Sequence, residues 1–133
     1  MALDIFAQFA TDETKEEDGI WVDIGDDSEI LVARAGNKKY GKMISKEYEK
    51  HKKLLDLKNE ASEKKSEEVM IDVLAKTILL GWKNIMFKGE ELPYSLDNAK
   101  MLLAVKDFRK LVAQYADDTE QYKVAVQEEV AKN

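Results

Sequence analysis

The sequence predicts an α+β fold, mainly α, with a small N-terminal β-hairpin followed by a bundle of about five helices and a short β-like insert near residues 83–94. Three observations predict it. Two β-rich runs flank a Gly-Asp-Asp-Ser turn, apolar residues recur at three- and four-residue spacing through most of the chain after residue 37, and one connection carrying two glycines and the sole proline interrupts that spacing. A chain of 133 residues is one domain by size and can bury roughly two-thirds of the surface its unfolded form exposes. Its parts are an acidic segment, 1–18, a hairpin, 20–35, and a helical body, 37–133.

The first part holds a small apolar patch, Leu3, Ile5, Phe6 and Phe9, too short to fold alone and expected to pack as a short helix on the body or on a second subunit. The runs 20–24 and 30–35 are joined by Gly25, Asp26, Asp27 and Ser28, residues that tolerate hairpin-turn dihedrals, so an antiparallel pair of strands is expected. From 37 to about 57, Tyr40, Met43, Ile44, Tyr48, His51, Leu54 and Leu55 share one face of an amphipathic helix. Residues 58–68 are polar, without Pro or Gly, and fit either a loop or an extension of a neighbouring helix.

The next helix is apolar around much of its girth, with Val69, Met70, Val73, Leu74, Thr77 and Leu80 as a stripe widened by Ile71, Ile78 and Leu79; such a helix is expected to be central. Gly81 is placed as its left-handed C′ residue, with Trp82 folding back on the last turn. The insert then turns at Lys88-Gly89, and Ser95 caps a new helix with Asp97 in its first turn and Tyr94 stapling against Ala99. Leu102, Leu103 and Val105 close that helix, and Asp107 is expected to cap another whose inward residues are Phe108, Leu111, Val112 and Tyr115. A last amphipathic helix is expected from Asp118 or Thr119, with Tyr122, Ala125, Val126 and Val130 as its face.

Charge and residue inventory restrict the chemistry. There is no cysteine, which removes disulfides, thiolate metal sites and thiol nucleophiles. The N-terminus is acidic where a secretory signal is basic, and no apolar run approaches the roughly 18 residues of a membrane span. The net charge of −6 is unevenly spread: residues 1–31 hold ten acids and one base, residues 32–58 nine bases and three acids, and the remainder eleven bases and fourteen acids. A basic block between acidic ones raises nucleic-acid binding. Its lysines, however, fall on the polar side of a helix pattern, with one arginine, Arg34, and only Tyr40 and Tyr48 as aromatics.

His51 is the only histidine and lies on an apolar face, so it has no partner for a metal set or a triad. Asp23, Asp26, Asp27 and Glu29 lack the ligand spacing of a calcium loop and read as a turn. Glu90 and Glu91 read as a solvated loop. No phosphate-cradling glycine loop, nucleophile elbow or dinucleotide fingerprint occurs. No catalytic, cofactor-binding or metal-binding residue is assigned, and the expectation is a non-enzymatic protein. Trp21 and Trp82, with Phe87 and Tyr94, fit either interface anchors or core residues, and the apolar area each tryptophan must hide favours the core.

Taken in order, "GIWVDI", "SEILVARAGNKKYGKMI", "LLGWKNI", "ELPYSLDNAKMLLA" and "FRKLVAQYADDTEQYKVAVQEEVAKN" resemble the tail assembly chaperones of long-tailed bacteriophages, over most of the chain from about Ile20 onward. The resemblance implies a non-enzymatic assembly factor of the host cytoplasm, absent from the mature virion. Such a factor binds the tape measure protein, keeps it soluble and helps recruit tail tube protein, often through a longer frameshifted form. Self-association into a homo-oligomer fits that role, and neither nucleic acid nor membrane is an expected partner. The candidate contacts are Trp82, Ile85, Met86 and Phe87 in the punctuated connection, with Tyr115, Tyr122 and Val126 on the last two helices. The competing expectations are a structural tail or connector subunit retained in the particle, and a nucleic-acid-associated regulator using the basic block.

Overall fold

The expected hairpin forms the start of a sheet. In the computed structural model, which describes residues 2–124, strands β1 (Ile20–Gly25) and β2 (Ser28–Val32) pair antiparallel around Asp26 and Asp27. Both aspartates have positive φ, 54° and 62°, the pair of left-handed residues a two-residue hairpin turn needs to match strand twist. Alternation places Val22, Ile30 and Val32 in the core and leaves Trp21 and Asp23 outward.

Here the structure departs from the sequence reading in two ways. The pair is a three-stranded sheet of order β1-β2-β3, because Leu79–Lys83 forms β3 antiparallel to β2, with Ile30 opposite Trp82 and Leu31 opposite Gly81. The body from residue 37 is therefore not purely helical. The preceding helix, α4 (Glu60–Thr77), stops before Gly81, and Gly81 is not among the residues with positive φ. The run Ile78–Trp82 is apolar enough that local periodicity fits helix and strand alike. What decides is distant: without β3 the outer edge of β2 would present bare N–H and C=O groups inside the protein.

Helix α3 (Lys38–Leu55) starts at Asn37, whose side chain accepts from Tyr40 N (2.9 Å) and donates to the carbonyls of Arg34 (2.7 Å) and Thr77 (3.4 Å). This one buried amide joins the end of β2, the start of α3 and the end of α4. The polar stretch 58–68 resolves into the beginning of α4, fixed by a reciprocal capping box between Asn59 and Ser62. α3 and α4 pack against each other as an arm. Its root is core, with Val73, Leu74, Ala75 and Thr77 buried, whereas between residues 41 and 69 only Ser62 is buried and α3 buries no residue fully. His51, at a kink in α3, pairs with Glu47 at 3.4 Å.

α5 (Leu96–Leu103) begins at Ser95, whose hydroxyl accepts from Asn98 N (3.0 Å), as expected. α6 (Lys106–Asp117) begins at Val105 with no side-chain cap; Asp107, expected to cap it, lies inside the first turn, where its charge still suits the helix dipole. Ala99, Leu102, Leu103, Val112 and Ala116 complete a core shared with the sheet and α4.

The acidic N-terminal part contains two helices, α1 (Ile5–Phe9) and α2 (Glu13–Asp18). α2 is tied down by Arg34, which pairs with Glu16 at 2.8 Å while its N–H donates to the Glu16 carbonyl at 2.9 Å. The end of the described chain closes over this segment. Thr119–Tyr122 is a 3-10 helix, Asp12 N donates to the Tyr122 carbonyl (2.8 Å), and Lys123 bridges to Thr11. Asp118 caps this turn as expected. Within the described residues the expected α-helix is thus a 3-10 turn, and Ala125, Val126 and Val130 lie outside them. α1 buries nothing.

Candidate functional site

The punctuated connection builds one wall of an apolar groove. Beyond β3, Asn84 takes a positive φ of 57° and its side chain donates to the carbonyls of Asp26 and Asp27, while Ser28 Oγ donates back to Asn84 O at 2.7 Å. The chain is thereby pinned to the tip of the first hairpin. It then forms a second, smaller hairpin, β4 (Met86–Phe87) with β5 (Glu90–Glu91), turning at Lys88 (φ 51°) and Gly89 (φ 84°), the turn expected from the Lys-Gly pair.

Trp82 is the strut beneath this excursion. Its indole N–H donates to Leu92 O at 2.7 Å, and Leu92 N donates to Ile85 O at 2.8 Å. Tyr94 lies edge-on against Trp82 with ring centroids 4.9 Å apart, and its hydroxyl donates to Leu79 O at 3.1 Å. Burial raises the pKa of that hydroxyl. These contacts define the role of Tyr94, expected to staple onto the α5 start: it braces β3 and the insert.

So braced, Ile85, Met86 and Phe87 face Leu102 and Val105 at the end of α5, Phe108 of α6 and Ile24 of β1 across a groove of about 260 Å³. None of these lining side chains carries an acid, a base or a nucleophile. Met86 and Val105 stand open at the mouth, 61% and 45% exposed, and the others are half-buried or buried. The arrangement can accept apolar side chains from a partner, with adaptable Met86 suited to several shapes. A second depression of about 330 Å³ lies between the arm root and α6, lined by Tyr40, Met70, Leu74 and Ala113 together with the charged Arg109, Lys110 and Asp117.

The seven candidate contacts separate. Ile85, Met86 and Phe87 come together in the groove. Trp82 is buried and holds the groove wall from behind. Tyr115 is half-buried against the core. Tyr122 is fully buried, its hydroxyl donating to Val32 O at 3.0 Å; burial, and secondarily the charge of Asp118, push its pKa well above that of a free tyrosine. Neither Trp82 nor Tyr122 is an accessible contact. Val126 lies outside the described residues.

Trp21, expected in the core, is 44% exposed with the Lys83 ammonium 4.1 Å from its ring centroid, because its place in β1 alternates outward. Ile24, Leu102, Val105 and Phe108 were not marked as contacts by the sequence. Val105, an apolar residue between two helices, carried the one local signal.

Among the described residues no cluster of His, Cys, Asp or Glu could hold a metal ion, and no helix is long and apolar enough to cross a membrane. Among families of known proteins, a model described as YdaY prophage protein matches residues 35–133. No curated protein and no solved structure matches the chain.

Proposed function

The chain belongs to the YdaY prophage protein family, and from that premise we propose that it is a tail assembly chaperone acting by binding alone. Its client is the tape measure protein, and it works in the host cytoplasm, keeping that long helical protein soluble, helping tail tube protein to assemble around it, and leaving before the virion is complete. The observation that carries the proposal is the open apolar groove between the Met86 hairpin and the α5–α6 corner. An amphipathic client helix presents side chains at i, i+3 and i+4 to such a groove, while the charged exterior keeps the pair in solution. Each site need hold the client only weakly, since many copies along one client act together.

The phage-related family and the ordered sequence motifs support this reading over a regulator of nucleic acid, because the groove is apolar and uncharged. A structural tail subunit remains the competing role, and mass spectrometry of purified particles separates the two.

The test is coexpression with a phage tape measure protein. The wild type is expected to move the client into the soluble fraction and to copurify with it. Met86→Asp and Val105→Asp, at exposed positions that the fold tolerates, are each expected to weaken capture roughly tenfold or more, from the ~1–2 kcal/mol an apolar anchor contributes. A client that stays insoluble with the wild type, or is captured equally well by both variants, refutes the proposal.

A further inference from the structure

The arm carries a feature the groove does not explain. Lys39, Lys42, Lys46 and Lys50 recur at spacings of three and four, so they form one stripe along α3 up to its kink at His51, with Lys53 just beyond, and all five are exposed. Among the described residues none of the five makes an ion pair, although acids are abundant elsewhere. The half-buried Met43 and Leu54 border the stripe.

The opposite feature lies at the other end of the same chain. α1 turns Ile5, Phe6 and Phe9 to solvent, 62%, 68% and 64% exposed. Around it the first 31 residues hold ten acids against one base, with Asp4, Glu13 and Asp18 exposed. The rim is acidic except where Lys123 reaches across it, its ammonium 5.8 Å from the Phe9 ring centroid and donating to Gln8 O; an exposed apolar patch with so strong a charge bias marks an interaction surface. Its complement in charge and in apolar character is the α3 stripe.

We propose that the acidic N-terminal segment of one copy docks on the lysine stripe of α3 in a second copy, laying Ile5, Phe6 and Phe9 along the apolar border beside it. The contact is head-to-tail, so each copy offers one donor segment and one acceptor arm, and association continues as a ring or an open chain. Nucleic acid fits the stripe less well: the chain as a whole is net negative, and the stripe contains neither arginine nor an aromatic residue for base contact. The proposal rests on charge and exposure and stands apart from the client reading.

The test is sedimentation of the full chain, alone, over a roughly hundredfold range of concentration. Concentration-dependent association is expected, weakened at least tenfold in roughly 0.5 M salt, where the screening length falls to a few ångström. Phe6→Ser/Phe9→Ser and Lys46→Glu/Lys50→Glu should each abolish it, with unchanged circular dichroism showing that both remain folded. Mixing Lys46→Glu/Lys50→Glu with Glu13→Lys/Asp18→Lys should restore it. A chain monomeric throughout, association that survives reversal of the stripe, or retention of duplex DNA by the stripe with no self-association overturns the proposal.

Discussion

Tyr122→Phe isolates the bond that closes the described end of the chain onto the sheet. The ring is fully buried and its hydroxyl donates to Val32 O at 3.0 Å, so phenylalanine keeps the packing and removes one buried hydrogen bond. That costs about 1 kcal/mol at neutral pH, or a fall in Tm of about 4 °C for a domain this size. The pH dependence is more discriminating. The folded hydroxyl has its pKa raised, chiefly by burial, above the 10.0 of a free tyrosine, so it stays protonated after the unfolded chain's hydroxyl has ionised. Its contribution is complete below pH 10 and is lost as pH rises above that value, because the unfolded state then binds fewer protons. By pH 11 this loss amounts to roughly 1.5 kcal/mol in the wild type and to nothing in the variant. Melting curves followed by circular dichroism at several pH values should therefore show wild type more stable at pH 7, the gap closing above pH 10, and the order reversing near pH 11. Other tyrosines and lysines titrate alike in both proteins and cancel. A gap that is constant with pH would refute the reasoning, since it would mean that the hydroxyl ionises equally in both states.

Gly81 tests the corrected end of α4, and Gly19 the close approach of α2's end to β2. At Gly81 a Cβ would meet Leu31 and Trp21 side-chain atoms no closer than 3.7 Å, so Gly81→Ala should leave stability unchanged or raise it by up to ~1 kcal/mol in urea unfolding; a comparable loss would restore the helix-cap reading. Gly19→Ala should be destabilising by ~1–3 kcal/mol, because Gly19 has φ 85° and a Cβ there lies 3.1 Å from the Val32 carbonyl. Ser95→Ala removes the hydroxyl that accepts from Asn98 N and should lower the urea-derived stability by ~1 kcal/mol; no change would mean that water replaces the cap.

The elements legible in the sequence are those decided by chemistry within a few residues. Asp26-Asp27 and Lys88-Gly89 take the two left-handed dihedrals of their turns, and Ser95 caps the helix it precedes, because side chain and backbone partner are neighbours in the chain. The misread elements answer to distant partners. Leu79–Lys83 is a strand because β2 lies open some fifty residues earlier. Trp21 is exposed because Val22 and Ile30, not Trp21, face the core. Tyr122 points inward because Val32 O waits for a donor. Apolar character alone reports that a residue seeks cover and leaves open whether its own fold supplies it.

The groove shows the same division inside one site. Its hairpin wall, Ile85 to Phe87, stands out in the sequence as apolar residues crowded into a turn-rich connection, where no regular element could hide them all. Its other wall is assembled from β1, α5 and α6, whose contributions read as ordinary core positions until the fold places them opposite Met86. Six of the seven lining residues, all but Ile24, fall within the span matched by the family model, whereas α1 with its exposed phenylalanines lies before it. The groove therefore lies almost wholly inside the matched span, while the proposed head-to-tail docking uses a segment outside it. The two proposed roles are separable by truncation on physical grounds. α1 buries nothing, so removing residues 2–9 should abolish self-association and leave the groove, its Trp82 strut and client capture intact.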